Sequence, residues 1–347
     1  MRSNNQPCVL ITGATGFVGK HLCNHLIEKG FQVRAVGRAL NAEISHAHFD
    51  YRQIENMDEN TCWDNLLEGV EVVVHLGARV HQMKDQGMQA LAEYQAINVK
   101  GTQQLAQAAI KSNVKRFIYM STIKVNGEKT ICTPYRAEDQ PRPQDAYSLS
   151  KLQGEQILQE GSRRSGMEWV IIRPPLVYGA FVKGNFRRLL KLAKTRLPLP
   201  FATVKNLRSF VSIDNLCSFI ECCLFHPNAH GEVFLVSDNQ DISLAKLIKI
   251  CRRAQGRWPL LFPFPLFLLK FAAFLIGKGK QINRLFDSLQ VNIEKSMRLL
   301  NWQPMCTVEE AIKKLYMAED PCEKNEIKKK EKSPKICHIK KQVKLRA

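Results

Sequence analysis

The sequence has little of what holds a secreted or metal-dependent protein together. None of its 11 cysteines forms a Cys-x-x-Cys pair, and no histidine stands at the spacing of a zinc site. The cysteines are therefore expected to be reduced thiols. The polar stretch before the first apolar run, at residues 8–11, is too short for a secretory signal. We expect a cytoplasmic protein that holds no metal.

Acidic residues are also scarce, since 32 acidic residues face 51 basic ones and the net charge is +19. Residues 323–347 hold ten basic residues, three glutamates and no aromatic residue, so they contribute +7 of that charge. This composition predicts a disordered, solvated tail. Contact of the tail with anionic lipid is the alternative, and we expect no nucleic-acid partner. The remaining positive charge suits an anionic ligand.

The chain lacks an uninterrupted apolar run long enough to cross a membrane. Residues 259–276 come nearest, but Lys270 interrupts them and three prolines lie in their first third. What remains is shorter than the ~20 apolar residues that a bilayer requires. A packed helix of a second lobe is the favoured interpretation. Peripheral contact with the inner face of an anionic membrane stays open as an alternative.

The first half of the chain alternates β-branched apolar runs with helical stretches. Strands are predicted at 9–12, 32–36, 72–76, 116–120 and 169–173, and the clearest helices at 18–29, 94–112 and 146–164. This alternation predicts an α/β fold, a Rossmann-type doubly wound parallel sheet. We expect a dinucleotide-binding domain at 1–175 that exchanges a strand with a smaller substrate lobe at 176–320. The basic tail would follow at 321–347.

A glycine-rich motif, Thr-Gly-Ala-Thr-Gly-Phe-Val-Gly, follows the first predicted strand and opens the first predicted helix. Gly13 would allow the tight turn and Gly16 would let backbone N–H groups approach a pyrophosphate. Gly19 would let the helix pack closely on the strand. The position between a strand and a helix makes this motif a strong indicator of dinucleotide binding.

The second predicted strand ends without the carboxylate that binds the ribose hydroxyls in NAD-selective sites. Arg38 stands there instead, and an arginine at this place accommodates the additional phosphate of NADP. The sequence therefore favours NADP(H) and leaves NAD(H) possible. The alternative is that Arg38 is only the exposed first residue of a loop.

Two further groups follow later strands, at the sheet edge where open parallel sheets bind their ligands. One is Ser121-Thr122, and the other is Tyr147 with Lys151 on a predicted helix. Because Tyr147 and Lys151 are four residues apart, they share one helical face. The ammonium group is expected to lower the tyrosine pKa from its usual ~10, which would make Tyr147 a proton donor.

These motifs together resemble the extended short-chain dehydrogenases/reductases, the NAD-dependent epimerase/dehydratase family. The resemblance covers roughly residues 8–315 and includes the segments TGATGFVG, HLGA, NVKGT, YSLSK and RPPLVYG. It implies that Tyr147 is the general acid/base, that Lys151 binds the nicotinamide ribose, and that Thr122 bonds the reacting sugar oxygen. It also implies cofactor contacts for Tyr147 and for Thr15, Phe17, Val18, Asn56, Met57, Leu76, Gly77, Ala78 and Asn98.

The resemblance further implies substrate contacts in the second half of the site. Asn185 and Arg208 match positions that hold the diphosphate and uridine ends of a UDP-sugar, and Lys124 is expected on the substrate side. A helix cap is the alternative for Asn185, and a surface cation is the alternative for Arg208. A homodimer is expected because many relatives dimerise.

Departures from the family pattern narrow the expected reaction. Dehydratases of the family carry an Asp-Glu pair after the catalytic threonine, whereas this chain has Ile123-Lys124. The whole pattern is most similar to bacterial reductases that form UDP-N-acetylquinovosamine for lipopolysaccharide O-antigen and other surface polysaccharides, and such relatives are often labelled as UDP-glucose 4-epimerases. We therefore expect NADP(H)-dependent reduction of a UDP-linked 4-keto-6-deoxy-N-acetylhexosamine. An NAD-dependent UDP-hexose 4-epimerase is the alternative, and a non-catalytic dinucleotide sensor is a minor one.

Overall fold

The computed structural model describes residues 6–39, 46–80, 88–275, 279 and 285–319. The tail for which the sequence predicts disorder, 321–347, lies outside the described residues. None of the described helices is both long and apolar enough to cross a membrane.

Seven strands form one parallel sheet, which confirms the predicted doubly wound α/β fold. The strands are β1 (Cys8–Thr12), β2 (Gln32–Gly37), β3 (Phe49–Gln53), β4 (Val70–His75), β5 (Arg116–Met120), β6 (Glu168–Arg173) and β9 (Glu232–Leu235). The order across the sheet is β3-β2-β1-β4-β5-β6-β9, and every neighbouring pair is parallel. The strand order reverses between β1 and β4, which places a ligand crevice at their carboxyl ends.

Helices cover both faces of the sheet and account for most of the other regular structure in the described residues. A π-helical turn lies at Gln95–Lys100, and a short 3₁₀ turn at Ile123–Val125 follows β5. The described α-helices are α1 (Phe17–Glu28), α2 (Asp64–Leu67), α3 (Met88–Tyr94), α4 (Gly101–Lys111), α5 (Ala146–Ser165), α6 (Gly184–Ala193), α7 (Ile213–Phe225), α8 (Leu244–Arg253), α9 (Leu266–Leu275), α10 (Glu294–Leu300) and α11 (Val308–Glu319).

The central strands are mostly apolar because both faces of the sheet are buried. In β1, Val9 and Ile11 point into the core beneath α1 and α7, whereas Leu10 points into the core beneath α4 and α5. All three side chains are fully buried. The sheet is therefore held from two sides, and its carboxyl edge is a rigid platform for the loops that follow each strand.

The second lobe is smaller, and the chain enters it after β6. A two-stranded parallel ladder, β7 (Leu176–Tyr178) with β8 (Phe210–Ser212), begins it. Helices α6, α8 and α11 pack together on this ladder around a shared apolar cluster. Strand β9 then returns to the main sheet beside β6. The boundary near residue 175 stays a prediction.

Candidate active site

A glycine-rich turn joins β1 to α1. Gly13 has a φ of +67°, in the left-handed region that glycine adopts without strain. Its carbonyl accepts a hydrogen bond of 2.9 Å from the N–H of Gly16. Gly16 is the N-cap of α1 and supplies no side-chain acceptor. The first N–H groups of α1 are thus available to a phosphate, which the positive end of the helix favours.

The backbone around this turn leaves no room for side chains. A Cβ atom on Gly13 would lie 2.8 Å from the backbone nitrogen of Gly77, which follows β4. A Cβ on Gly19 would lie 2.7 Å from the Cα of Ala14, and one on Gly77 would lie 2.5 Å from the Sδ of Met57. The glycine motif, the β4 end and Met57 therefore form one close-packed cradle, and this cradle fits the diphosphate and adenosine part of a dinucleotide.

Replacing Gly19 with Ala is expected to damage this cradle. The new methyl group would overlap the Gly13 carbonyl oxygen, so the turn must move. We expect the affinity for NAD to fall at least about tenfold and the free energy of unfolding to fall by about 1–3 kcal/mol. Gly161→Ala is the matched helical control, because its Cβ would make an ordinary 3.5 Å contact with Ile110 and helix propensity favours Ala. Isothermal titration with NAD and chemical unfolding of both variants check this, and equal NAD affinity would contradict it.

The remaining predicted cofactor residues also follow strand ends. Thr15 packs against Gly37 at the end of β2, where a Cβ would lie 3.0 Å from the Thr15 methyl group. Arg38 comes next and its side chain is exposed. Its carbonyl accepts a 3.0 Å hydrogen bond from the side chain of Gln53. Asn56 follows β3, and its carbonyl accepts a 3.0 Å hydrogen bond from Thr61.

The apolar members of the predicted cofactor set are partly buried. Phe17 and Val18 open α1 and pack on the core beneath that helix, and Leu76 packs on the same core from the end of β4. Ala78 follows in the same loop and is also partly buried. Their cofactor contacts stay predictions.

His75 lies at the end of β4 and ties three elements together. Its Nδ1 is 2.7 Å from the hydroxyl of Thr12 on β1, and its Nε2 is 3.1 Å from the hydroxyl of Thr102 on α4. The ring is completely buried. Burial and the nearby Lys151 ammonium lower the pKa of His75 to about 3, so the imidazole is neutral and serves as a structural link.

Asn98 lies in the π-helical turn and is buried. Its side-chain oxygen accepts a 2.8 Å hydrogen bond from the N–H of Arg79, and its amide donates to the Arg79 carbonyl at 3.1 Å. The same amide donates at 2.9 Å to the hydroxyl of Ser150 on α5. The sequence predicted a cofactor contact for Asn98. The structure shows that this side chain fixes the loop after β4 against the helix that carries Tyr147.

Tyr147 and Lys151 occupy the first turns of α5 and share one face, as predicted. The Tyr147 ring lies 6.1 Å from the ring of Tyr94, measured between centroids. Lys151 is 2% exposed, and its Nζ lies 4.1 Å from the centre of the Tyr119 ring. The ammonium group is thus held over an aromatic face on β5.

The expected lowering of the Tyr147 pKa is wrong for this structure. Burial, together with the carboxylate of Asp145, raises the pKa of Tyr147 to about 12. Burial also lowers the pKa of Lys151 to about 7, although Glu155 acts in the opposite direction. The sequence pattern placed the two side chains on one face correctly, but it could not show how deeply that face is buried.

Thr122 and Lys124 connect the end of β5 to the start of α5. The Thr122 hydroxyl accepts a 3.4 Å hydrogen bond from the N–H of Lys124 and caps the 3₁₀ turn. The Lys124 ammonium binds Asp145 at 2.6 Å and lies 3.4 Å from Glu128. Asp145 is the N-cap of α5. Two carboxylates therefore compete with any substrate for Lys124, whose substrate contact stays a prediction.

The hydrogen bonds at this junction also act on Asp145 itself. Burial alone would raise its pKa, but hydrogen bonds from Lys124 and from the capping Ser148 outweigh that effect and lower it. Asp145 is ionised in consequence, and its negative charge stands two residues before Tyr147. Sequence reasoning missed this residue, although an aspartate directly before an apolar helical pattern is a recognisable capping signal.

A buried ion pair lies behind the catalytic face. Glu155 on α5 and Arg173 at the end of β6 form two hydrogen bonds, of 2.6 and 2.9 Å. Ser121 donates its hydroxyl to Glu155, and Asn126 accepts at 3.1 Å from Arg173. Sequence reasoning missed this cluster. The spacing could have pointed to Glu155, because this residue follows Lys151 by four positions and therefore lies on the same helical face.

The two remaining substrate positions lie in the second lobe. Asn185 is exposed in the first turn of α6, whose N-cap is Lys183, so the helix-cap alternative is wrong. Arg208 is partly buried and donates a 3.0 Å hydrogen bond to the Asp287 carbonyl, so the surface-cation alternative is also wrong. Burial lowers the pKa of Arg208, although Asp287 opposes the shift. Their substrate contacts stay predictions.

A parallel sheet with a glycine cradle at its carboxyl edge and a Tyr-Lys pair above it defines a dinucleotide-dependent enzyme. A sequence profile described as "NAD dependent epimerase/dehydratase family" matches residues 9–237. The chain belongs to this family, and it is an NAD(P)-dependent enzyme. The resemblance drawn from the sequence is confirmed.

Relatives with curated descriptions are similar over most of the chain. The "UDP-glucose 4-epimerase" of Vibrio cholerae is 39% identical over 314 residues, which cover 89% of this chain and 94% of that protein. The "N-acetyl-alpha-D-glucosaminyl-diphospho-ditrans,octacis-undecaprenol 4-epimerase" of Escherichia coli O157:H7 is 29% identical over 245 residues, 69% of this chain and 70% of its own length.

Solved structures share the fold. The UDP-glucuronic acid 4-epimerase of Bacillus cereus, in complex with NAD, matches with a TM-score of 0.71 and 24% identity, over 90% of this chain and 98% of its own. The UDP-N-acetylglucosamine 4-epimerase of Bacillus cereus matches with a TM-score of 0.72 and 20% identity, over 90% of this chain and 96% of its own. At these identities the likeness establishes the architecture.

Proposed function

We propose that the chain is an NAD-dependent UDP-hexose 4-epimerase. The observation that carries the proposal is the 39% identity to the Vibrio cholerae UDP-glucose 4-epimerase over almost the full length of both chains. The intact pair of Tyr147 and Lys151 supports catalysis over the sensor alternative, because a sensor has no need of either group. A UDP-sugar substrate accords with the positive charge of the chain.

The residues of this chain would hold and move one proton in the reaction. Tyr147 would take the proton from the sugar 4-hydroxyl and return it after the hexose has turned its other face to the nicotinamide. Thr122 would orient the same oxygen by a hydrogen bond, and Lys151 would bind the nicotinamide ribose beside it. The bound dinucleotide supplies reversible hydride acceptance at C4.

NAD is the favoured cofactor in this proposal, although the sequence favoured NADP(H) on the strength of Arg38. The Arg38 side chain is exposed, which suits a residue at the rim of the site. Epimerase relatives support NAD, since the Bacillus cereus structure contains it. The cofactor choice is measured by thermal shift with NAD and NADP in parallel, for the native chain and Arg38→Ala.

The 4-keto reductase ranks second. The observation in its favour is the missing carboxylate after β2, where Arg38 stands. The comparisons support the epimerase better, because the relatives named above are described as 4-epimerases. We also propose that the protein is a homodimer and that it serves surface-polysaccharide synthesis, whichever of the two reactions it catalyses.

Product analysis separates the two reactions. The purified protein is incubated with NAD, and with no reduced dinucleotide, in the presence of UDP-glucose or UDP-N-acetylglucosamine, and the products are separated by chromatography. We expect interconversion with the matching galacto sugar. A parallel incubation with the lipid-linked sugar N-acetylglucosaminyl-diphospho-undecaprenol tests the substrate named for the Escherichia coli relative. Turnover of a UDP-4-keto-6-deoxy sugar with NADPH, and no interconversion of any of these sugars, would overturn the proposal.

A further inference from the structure

An apolar surface of unusual density lies on the substrate lobe. Eight of the large apolar side chains that the described residues expose fall between positions 258 and 275. Trp258 is 84% exposed, and Phe274 is 73% exposed. We name this set the outer apolar face: Trp258, Leu260, Phe262, Phe267, Leu268, Phe271, Phe274 and Leu275. A concentration of exposed large apolar side chains in one segment marks an interaction surface.

Helix α9 is apolar on both of its sides. Leu266 and Leu269 pack on a core cluster of the second lobe. Phe267, Phe271 and Phe274 follow one another at intervals of four and three residues, so they lie along the opposite side, and each is more than half exposed. An ordinary surface helix carries polar residues on its outer side. The outer side of α9 therefore has the composition of a side that is covered by something else.

The segment before α9 is firmly attached to the lobe. The buried guanidinium of Arg252 donates hydrogen bonds of 2.7 Å to the carbonyls of Leu260 and Leu197. The hydroxyl of Thr203 donates at 2.7 Å to the Phe264 carbonyl. Backbone and side chain bonds thus hold the outer apolar face in place from beneath, so its exposure is a property of the folded lobe.

Charge around the face identifies its partner. Residues 242–286 contain no Asp or Glu and nine Lys or Arg. A second copy of the chain would bring the same uncompensated positive charge against itself, whereas an anionic bilayer would neutralise it. The described basic residues of this stretch whose side chains are exposed are Lys246, Lys249, Arg253, Arg257 and Lys270.

The length of α9 sets the geometry of contact. Its 10 residues span about 15 Å, at 1.5 Å per residue, which is half of the ~30 Å hydrocarbon core. Such a helix lies along a membrane surface with its apolar side in the headgroup region. Trp258 at the edge of the face suits the same region, which tryptophan favours.

We propose that the outer apolar face docks the enzyme on an anionic lipid bilayer. The phenylalanines of α9 enter the headgroup boundary, and the exposed lysines and arginines bind lipid phosphates. The face shares a core cluster with α6, the helix that carries Asn185, so docking would bring the substrate lobe to the membrane surface. The proposal is independent of the reaction that the enzyme catalyses.

The test is co-sedimentation of the full chain with vesicles of phosphatidylglycerol and phosphatidylcholine, against phosphatidylcholine alone, at two salt concentrations. We expect binding to the anionic vesicles that weakens with salt. The variant F267S/F271S/F274S should bind at least about tenfold more weakly. Its unfolding midpoint and its activity on a water-soluble UDP-sugar should match the native chain, because all three side chains are exposed.

Three further variants locate the binding. The control I131S/M305S/M317S removes exposed apolar side chains elsewhere and should bind like the native chain. R253E/K270E should lose the preference for anionic vesicles. A chain ending at residue 320 should still bind, since the face is retained. Absence of native binding, or equal binding by the triple phenylalanine variant, would overturn the proposal. So would a change in oligomeric state on removing the phenylalanines, since the face would then join two copies.

Discussion

Tyr147→Phe is expected to lower the rate of UDP-hexose epimerisation by about 10²–10⁴-fold, the range typical for loss of a general acid/base. The substitution removes only the hydroxyl, so the ring keeps its position near Tyr94 and α5 keeps its capping box. Affinity for NAD should remain within about twofold, because the glycine cradle is untouched. Steady-state kinetics and titration with NAD measure the two effects separately.

The matched control for this substitution is Tyr316→Phe. Tyr316 lies on α11 in the second lobe, packed against an apolar cluster, and its phenol takes no part in the proposed reaction. Loss of the Tyr316 hydroxyl should leave the rate of epimerisation within about twofold of the native rate. Full activity in Tyr147→Phe would contradict the catalytic assignment and would revive the dinucleotide-sensor alternative.

Glu155→Gln is expected to reduce the free energy of unfolding by about 3–5 kcal/mol, because it leaves a buried arginine without its counter-charge. Arg173 and Glu155 are each less than 6% exposed at the side chain, and their paired hydrogen bonds would become one. Ser121 and Arg173 would then share the single amide oxygen of the glutamine as acceptor. Chemical denaturation followed by circular dichroism gives the change directly.

Glu160→Gln is the control for the buried ion pair. Glu160 lies on the same helix, but its side chain is exposed, so its neutralisation should change stability by no more than about 0.5 kcal/mol. Replacing both Glu155 and Arg173 with Met should recover much of the loss, since no buried charge would then remain. Equal stability of Glu155→Gln and Glu160→Gln would show that the ion pair contributes nothing.

Much of the fold was predictable because each strand of the sheet centre is an apolar run bounded by turn residues. β1, β2, β4, β5 and β6 were predicted within two residues of their observed bounds. β3 was missed because its sequence, FDYRQ, is polar and half exposed near the sheet edge. β9 was missed because it joins the sheet from the second lobe, a pairing that periodicity cannot show.

Helix 94–112 was predicted as one continuous element, and its spacing is indeed helical. The structure instead has the end of α3, a π-helical turn over Gln95–Lys100, and then α4. Asn98 lies in that turn and bonds both Arg79 and Ser150. Such local widening of a helix accompanies functional sites, and it depends on tertiary contacts that a single sequence does not contain.

The positions of the proposed site residues were predictable, but their electrostatics were not. The glycine motif, Thr122, Tyr147 and Lys151 all lie at the carboxyl edge of the sheet, as the order of strands and motifs implied. The raised pKa of Tyr147 and the lowered pKa of Lys151 both follow from burial. The burial of a helical face depends on the elements that pack against it. Residue spacing alone therefore could not predict how deeply Tyr147 and Lys151 are buried.

The most direct test of the proposed function follows the hydrogen at C4. UDP-glucose deuterated at C4 is incubated with the purified protein without added NAD(P)H, and the products are examined by NMR. The proposed function predicts UDP-galactose that retains deuterium at C4, because an epimerase returns the same hydride to the other face. Unchanged substrate, together with NADPH oxidation by a UDP-4-keto sugar, would contradict the epimerase and establish the reductase.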